Sequence, residues 1–253
     1  MSADEREELA EGSLISHLVE LRDRLLRAVI AIGVIFVPCA FFANDLFTLV
    51  ATPLIQKMPK GTSMIATSLV SPFLAPLKLS LFVALFIAMP YVLYQAWAFV
   101  APGLYRHEKR FAVPLLLSSI VLFYCGVAFA YFVVFPLMFG ILTTTAPAGV
   151  QMMTDMQNYL DFVLLLFFAF GVAFEIPVAT VLLAATGLVS VEAMGKNRGY
   201  VLLGIFVVAA FLTPPDAISQ SAMAVPMYLL YEIGILGSRL LLRQRKNAET
   251  TAA

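Results

Sequence analysis

Three carboxylates in this sequence stand where an acid could bind a cationic ligand or handle a proton. Glu20 lies in "HLVELRDRLL", Glu108 lies among the cations of "APGLYRHEKRF", and Glu175 lies in the apolar run "FGVAFEIPVA". Two acids on one membrane face could hold a cationic ligand, and bidentate pairing with a guanidinium is the strong form of that interaction. For Glu108 the alternative is a solvated loop acid paired with Arg106 or Arg110, and such pairs contribute little to stability. For Glu20 the alternative is a place on an amphipathic helix at the cytoplasmic interface.

Glu175 poses a different problem, because it falls inside a predicted membrane span. A carboxylate there costs about 2.5 kcal/mol or more, so we expect Glu175 to face other helices and to be paired or protonated. It could serve a function, or it could only reach a watery groove or hydrogen-bond a neighbouring helix. Asp216 follows Pro214 and Pro215 in "FLTPPDAISQ", where we expect it to cap the next helix.

Catalytic and metal-binding patterns are absent from the sequence. His17 and His107 lack metal-ligand spacing, and there is no phosphate-binding loop, serine-hydrolase motif or zinc-protease motif. Cys39 and Cys125 lie in apolar segments, which is typical of small core residues. With 16 basic and 16 acidic residues, no net charge points to nucleic acid. We therefore expect neither an enzyme nor a cofactor, and no nucleic-acid partner.

The elements that position these acids are membrane helices. The chain is 61% hydrophobic and only 13% charged, about half the charge of a soluble domain. Long apolar runs predict an all-α, polytopic membrane protein in which residues 1–253 form a single bundle. The predicted spans are about 25–43, 77–101, 112–140, 159–186, 200–212 and 222–242.

Basic residues give the predicted orientation. Thirteen of the sixteen fall in the N-terminal tail, the second-to-third loop, the fourth-to-fifth loop and the C-terminal end. Since cytoplasmic loops carry the excess of Lys and Arg, both termini are expected in the cytoplasm, as six spans require. Residues 1–24 are then a cytoplasmic tail, and the apolar periodicity of residues 13–26 predicts an amphipathic helix at the interface.

Proline positions and span lengths predict distorted helices. Pro90, Pro114, Pro136, Pro177 and Pro226 lie within or at the ends of spans, so we expect kinks and a curved bundle. The last two spans look short. The fifth would cover only about 20 Å of a hydrocarbon core of about 30 Å, and the sixth meets an acid, Glu232, after ten apolar residues.

Several motifs together resemble one family. In order they are "HLVELRDRLL", "MIATSLVSPF", "YQAWAFVAPGLYRHEKR", "FAYFVVFP", "FGVAFEIPV" and "LTPPD". The sequence closely resembles the TatC family, the polytopic core subunits of the twin-arginine protein translocase, over nearly its whole length. Asp23 departs from the pattern, because the family often has a basic residue there.

The resemblance implies a six-helix bundle with a concave groove in the bacterial cytoplasmic (inner) membrane. It implies binding to the twin-arginine signal peptides of folded cargo proteins, with export driven by the proton-motive force. The implied partners are TatA-like and TatB-like single-span subunits, further copies of the chain, and membrane lipid. The implied signal-peptide site comprises Glu20, Leu21, Arg22, Phe99 and Glu108. The implied groove, with partner contacts on the fifth and sixth spans, comprises Glu175, Asp216, Met227 and Tyr231.

Two other functions remain open from the residues. A secondary transporter could use Glu175 to couple a proton to a small solute, but the internal symmetry of many such proteins is not visible. An intramembrane enzyme would need a paired nucleophile and base, which the sequence does not offer.

Overall fold

The computed structural model describes residues 3–55, 64–100, 109–144, 154–213 and 217–252. Helices account for almost all of these residues. In addition, two strands of two residues each pair with one another. The elements are α1 (Ala3–Phe41), α2 (Ala43–Ile55), β1 (Met64–Ile65), α3 (Ser71–Val100), α4 (Lys109–Phe129), a π-helical turn (Ala130–Val134), α5 (Phe135–Thr144), β2 (Thr154–Asp155), α6 (Met156–Ala173), α7 (Ile176–Ala185), α8 (Val191–Lys196), α9 (Arg198–Leu212) and α10 (Ala217–Ala252).

The apolar helices make this an all-α, multi-pass membrane protein. Within the described residues, five segments are long and apolar enough to cross a bilayer: Ile15–Phe41, Ser71–Phe99, Val113–Met138, Met156–Ala185 and Ala217–Arg243. The predicted fifth span is α9, which has only 15 residues and is as short as expected. The helices α2 and α8 were not predicted from the sequence.

The first span and the amphipathic segment before it form one helix. The sequence predicts a span beginning near residue 25, whereas α1 runs without a break from Ala3 to Phe41. No glycine or proline lies between Ser13 and Leu26, so nothing in that segment terminates a helix. The interfacial residues are therefore held in fixed register with the span.

The sixth span is longer than the sequence suggested, and the expectation of a short span is wrong. Helix α10 has 36 residues, of which Ala217–Arg243 are apolar enough to cross a bilayer. Glu232 does not interrupt it, because Arg198 of α9 and Tyr228 both bind the carboxylate. A charge that is neutralised in this way no longer marks the end of a span.

Prolines change the helices in different ways. Helices α3 and α10 continue through Pro90 and Pro226. Before Pro136 the helix widens into the π-helical turn, in which Phe135 N–H donates to Ala130 O, five residues back. Before Pro177 the helix stops, because proline has no N–H for the carbonyl of Ala173. Only the last of these prolines separates two helices.

Contacts divide the chain into two compact units. The first comprises Met1–Phe47 and Pro76–Leu116, and the second comprises Thr48–Ala75 and Leu117–Ala253. In the first unit, α1 packs against the C-terminal part of α3. In the second, large buried side chains from α4, the π-helical turn, α5 and α6 form the core. They include Phe123, Val134, Phe135, Met138, Leu160, Val163 and Phe170.

Close helix contacts in the second unit depend on glycine. A Cβ atom on Gly126 of α4 would collide with Phe170 O and lie 3.0 Å from the Cα of Gly171 on α6. A Cβ on Gly171 would lie 2.6 Å from Cε2 of Phe123. On α10, a Cβ on Gly234 would collide with the hydroxyl of Thr180 on α7 and approach the Cα of Pro177 to 2.9 Å. Small residues of this kind let membrane helices pack with their backbones in close approach.

A second set of contacts joins distant parts of the chain ahead of α6. Strands β1 and β2 pair in parallel, and Asp155 caps α6 by accepting from the N–H groups of Gln157 and Asn158 at 3.0 and 2.9 Å. Its other oxygen accepts from Thr67 N and Oγ1 at 3.1 and 2.5 Å. Ser71 Oγ also donates to Gln157 Oε1 at 3.0 Å. These bonds fix the start of α6 against the segment that leads into α3.

Candidate functional site

The first candidate site is a cleft in the first unit, between α1 and α3. It has a volume of about 250 Å³ and a largely aliphatic lining. Leu21 and Phe99, both predicted site residues, contribute to that lining. The lining residues are Leu21, Arg24, Leu25, Ala28, Val92, Gln95, Ala96 and Phe99. The cleft thus offers an apolar surface with a polar edge formed by one arginine and one amide.

Glu20 lies beside this cleft, and its carboxylate is occupied by a guanidinium from the same helix. Arg24 Nη2 and Nε donate to Glu20 Oε1 at 2.6 and 2.9 Å. Arg24 also reaches α3, where Nη1 donates to Gln95 Oε1 at 3.5 Å. The second oxygen, Glu20 Oε2, has His17 Nδ1 at 3.9 Å. One oxygen of Glu20 is therefore bonded to Arg24, and the other has only His17 nearby among the described residues.

Phe99 and Arg22 occupy different surroundings. The ring of Phe99 stacks on the imidazole of His17, with 4.3 Å between centroids and planes 22° apart. Arg22 points elsewhere and pairs with its neighbour Asp23, with Nη2 2.8 Å from Oδ1. Asp23, the departure from the family pattern, thus takes up the charge of Arg22. Of the described residues predicted for signal-peptide binding, Leu21 and Phe99 line the cleft and Glu20 lies beside it, whereas Arg22 is not part of the lining.

Three residues at this cleft were not predicted from the sequence: His17, Arg24 and Gln95. Glu20 and Arg24 stand four residues apart, the spacing at which helical side chains meet, so that pair was detectable. Gln95 is a buried amide in the apolar helix α3 and could have been noticed for that reason. The stacking of His17 on Phe99 joins residues far apart in sequence, and no local pattern encodes it. Glu108 lies outside the described residues.

The second candidate site surrounds Glu175 in the second unit. Glu175 occupies the turn between α6 and α7, where its N–H donates to Val172 O and its carbonyl accepts from Ala179 N. The hydroxyl of Ser119 on α4 hydrogen-bonds its side chain. Carboxylate atom Oε1 is buried and has no hydrogen-bond partner among the described residues. Glu175 is therefore an acid beside α4 whose hydrogen bonds are incomplete. In the same turn, Pro177 leaves the carbonyl of Ala173 without its helical N–H donor.

The remaining residues predicted for the groove do not converge on Glu175. Met227 lines a separate apolar cleft of about 650 Å³ between α6, α7, α9 and α10. Tyr231 is buried in a core cluster with Ile235, and its hydroxyl donates to Met194 O at 2.9 Å. Asp216 lies outside the described residues. Glu175, Met227 and Tyr231 thus belong to three different surroundings: the α6–α7 turn, an apolar cleft and a packed core.

An ion pair joins α9 to α10 near that core. Arg198 Nη2 donates to Glu232 Oε2 at 2.8 Å, and Nε lies 2.7 Å from Oε1. Tyr228 Oη donates to Glu232 Oε1 at 2.8 Å. Among the described residues, no group of three or more His, Cys, Asp or Glu side chains could hold a metal ion.

Comparisons with known proteins agree with one another. Residues 16–226 match the family model described as Sec-independent protein translocase protein (TatC). The chain is 57% identical to the Sec-independent protein translocase protein TatC of Azotobacter chroococcum and 56% identical to that of Escherichia coli K12. Each alignment covers 93% of this chain and 92% of the relative. The relative from Aquifex aeolicus is 39% identical, with 93% and 98% covered.

Solved structures give the same result. The chain is similar to a crystal structure of the twin arginine translocase receptor TatC, with a TM-score of 0.79 and 38% identity. That match covers 88% of this chain and 98% of the crystallised one. A second crystal structure of the receptor, in the detergent DDM, matches with a TM-score of 0.78 and 37% identity, covering 88% and 99%.

Proposed function

The chain belongs to the TatC family of Sec-independent protein translocases, and we propose that it is the receptor subunit that binds twin-arginine signal peptides. Relatives that align with this chain over most of their length are named as protein translocase proteins. Their names support this function over that of a proton-coupled solute transporter. The protein is then a non-enzymatic receptor whose chemistry is recognition.

The pairing of Glu20 with a guanidinium is the observation that carries the proposal. Arg24 directs two donors at one oxygen of Glu20, which is the interaction that a signal-peptide arginine would make. The adjoining aliphatic cleft and the Phe99 ring suit the apolar residues of a signal peptide. Glu108, on the same predicted face, is proposed as the acid for the second arginine. Lysine would not replace arginine well, because it lacks the planar fork of donors.

The partner surface is proposed on the other unit. The apolar cleft that contains Met227 has α9 as one wall, and exposed side chains such as Leu203, Val207 and Phe211 continue that helix's apolar surface. We propose that the single-span TatA-like and TatB-like subunits pack on this cleft, and that Glu175, which is not part of its lining, offers a separate hydrogen bond to a partner helix. The protein would act in the bacterial cytoplasmic membrane, in complexes with several copies of itself. Folded cargo would be exported at the expense of the proton-motive force.

Binding of a synthetic twin-arginine peptide to the purified protein in detergent tests the recognition site. Losing one charge-assisted contact should weaken binding roughly tenfold, so Glu20→Ala and Glu108→Ala are each expected to have that effect. The double variant should bind more weakly than either single variant. Asp23→Ala is the matched control, because Asp23 is an acid on the same helix that pairs with Arg22 and lies outside the cleft lining.

A twin-lysine peptide provides the second arm of the experiment. Wild-type protein should prefer arginine, and that preference should disappear in the double variant. Unchanged affinity in both single variants, or an equal loss in Asp23→Ala, would show that these acids do not form the site.

A further inference from the structure

A pocket in the second unit has no role in the function proposed above. It lies between the short helix α8 and the C-terminal part of α10 and has a volume of about 720 Å³. Its lining combines two arginines and one acid with aliphatic side chains. The lining residues are Val191, Glu192, Leu236, Arg239, Leu240, Leu242 and Arg243. We propose that this pocket binds the headgroup and upper acyl chains of an anionic phospholipid.

The charges of the pocket are available to a ligand. Arg239 and Arg243 are exposed and stand four residues apart on α10, so both guanidinium groups lie on one helical face. Among the described residues neither arginine has a hydrogen-bond or ion-pair partner, in contrast to Arg24 and Arg198. Two arginines against the single acid Glu192 leave one net positive charge, which complements a singly charged lipid phosphate.

The apolar lining identifies the anion as part of a lipid. Leu236 and Leu240 are 55% and 60% exposed on α10, and they continue the apolar surface of the span toward the arginines. A free phosphate ion would gain nothing from these leucines, whereas acyl chains would cover them. Basic pockets between membrane helices at the cytoplasmic side are typical sites for anionic lipid headgroups.

The position of the pocket also fits a lipid headgroup. The apolar span of α10 ends at Arg243, so both arginines lie at the edge of the hydrocarbon region. The charge bias of the loops predicts that this end faces the cytoplasm. The floor is rigid, because Val191 and Met194 of α8 pack on Tyr231 and Ile235, and Tyr231 donates to Met194 O. The pocket is therefore preformed at the depth where phospholipid phosphates lie.

Titration of the purified protein with phosphatidylglycerol tests the site, with native mass spectrometry counting bound lipids. Arg239→Gln and Arg243→Gln should each lower the phosphatidylglycerol affinity about fivefold, since each arginine near a membrane surface contributes an interaction of that order. Arg27→Gln is the matched control. Arg27 is also exposed and also lies at the predicted cytoplasmic boundary, but it is not part of this pocket.

Glu192→Gln should have the opposite effect and raise phosphatidylglycerol affinity a few-fold, because Glu192 is the one acid among the described residues of the lining. An equal loss in Arg27→Gln would overturn the site by showing only a general charge effect. Equal affinity of the wild type for phosphatidylcholine would overturn the anionic assignment. Competition by inorganic phosphate at the same concentration as the lipid would overturn the lipid assignment. Thermal denaturation without added lipid should be the same for all variants, which separates binding from folding.

Discussion

Glu175 and Glu232 both place a carboxyl group inside an apolar helical segment of the second unit, yet their surroundings differ. Glu232 accepts from Arg198 and Tyr228, which use both of its oxygens. Glu175 has a hydrogen bond from Ser119, and its buried Oε1 has no partner among the described residues. An acid within a membrane span is therefore not a functional site by its residue type alone. The hydrogen bonds left unmade distinguish an acid that holds helices together from one that is available for binding.

Removing the satisfied acid should have the largest effect on stability. Glu232→Ala leaves Arg198 without its acceptor, and we expect a loss of about 1–2 kcal/mol in the free energy of unfolding. The loss stays below that for a fully buried pair, because 43% of the Arg198 side chain is exposed. Denaturation of the purified protein in detergent measures it.

Arg198→Ala and the double variant complete the cycle for this pair. The double variant should lose less than the sum of the single losses, since each single change leaves one charge without its partner. Additive losses would mean that the pair does not hold α9 to α10, and the contrast with Glu175 would then disappear.

Substitution of the incompletely bonded acid should affect binding more than stability. Glu175→Gln keeps a group that can bond Ser119, so we expect a stability change below about 1 kcal/mol and most transport retained. Glu175→Ala should lower association with the single-span partners, measured by co-purification. If Glu175 instead carries protons, the Gln variant will lose transport as completely as the Ala variant while partner association stays intact.

Substitution of Asp155, an acid outside the spans, should have the smallest effect on stability, and that effect should be visible only at low pH. The hydroxyl of Thr67, and then the N–H groups of Asn158 and Thr67, lower the pKa of Asp155 from 3.8 to about 2. Because the folded pKa lies below the unfolded one, this stabilisation is complete above about pH 4 and is lost as the pH falls toward 2. Asp155→Asn should therefore flatten the decline of stability between pH 4 and pH 2. Glu192→Gln, at an exposed acid, should leave that decline unchanged, and an equal flattening there would contradict the assignment to Asp155.

The sequence predicted the helical segments well, because hydropathy is a local property. Apolar runs indicated the segments and the shortness of α9, whereas the sequence predicted one span over 159–186 where the structure has α6 and α7. The failures have one physical cause. The sixth span looks short from the sequence because Glu232 interrupts its apolar run, and the partner Arg198 is 34 residues away. The α1–α3 cleft depends on Arg24 and Gln95, which are 71 residues apart. Contacts of this kind are decided by packing and leave no periodic pattern.

The acidic residues of the candidate sites could be identified from the sequence, but their contacts could not. Glu20 is noticeable as an acid in a juxtamembrane zone that favours cations, and Glu175 as an acid inside a predicted span. The sequence could not reveal that Arg24 reaches Gln95 on α3, or that Tyr231 belongs to a packed core instead of a groove. Those facts follow from which helix faces meet, and that is set by the small residues that allow close approach.

The contact between Gly126 and Gly171 has a consequence for biosynthesis. Membrane helices insert one by one according to their hydropathy and associate afterwards. A larger residue at Gly126 would leave the insertion of α4 and α6 unaffected but would block their association, because its Cβ would collide with the backbone of Phe170. Ser119 and Glu175 would then remain apart, each exposed to lipid. Such a variant would reach the membrane with α4 and α6 inserted but not packed together, so its defect would be in helix association and not in targeting.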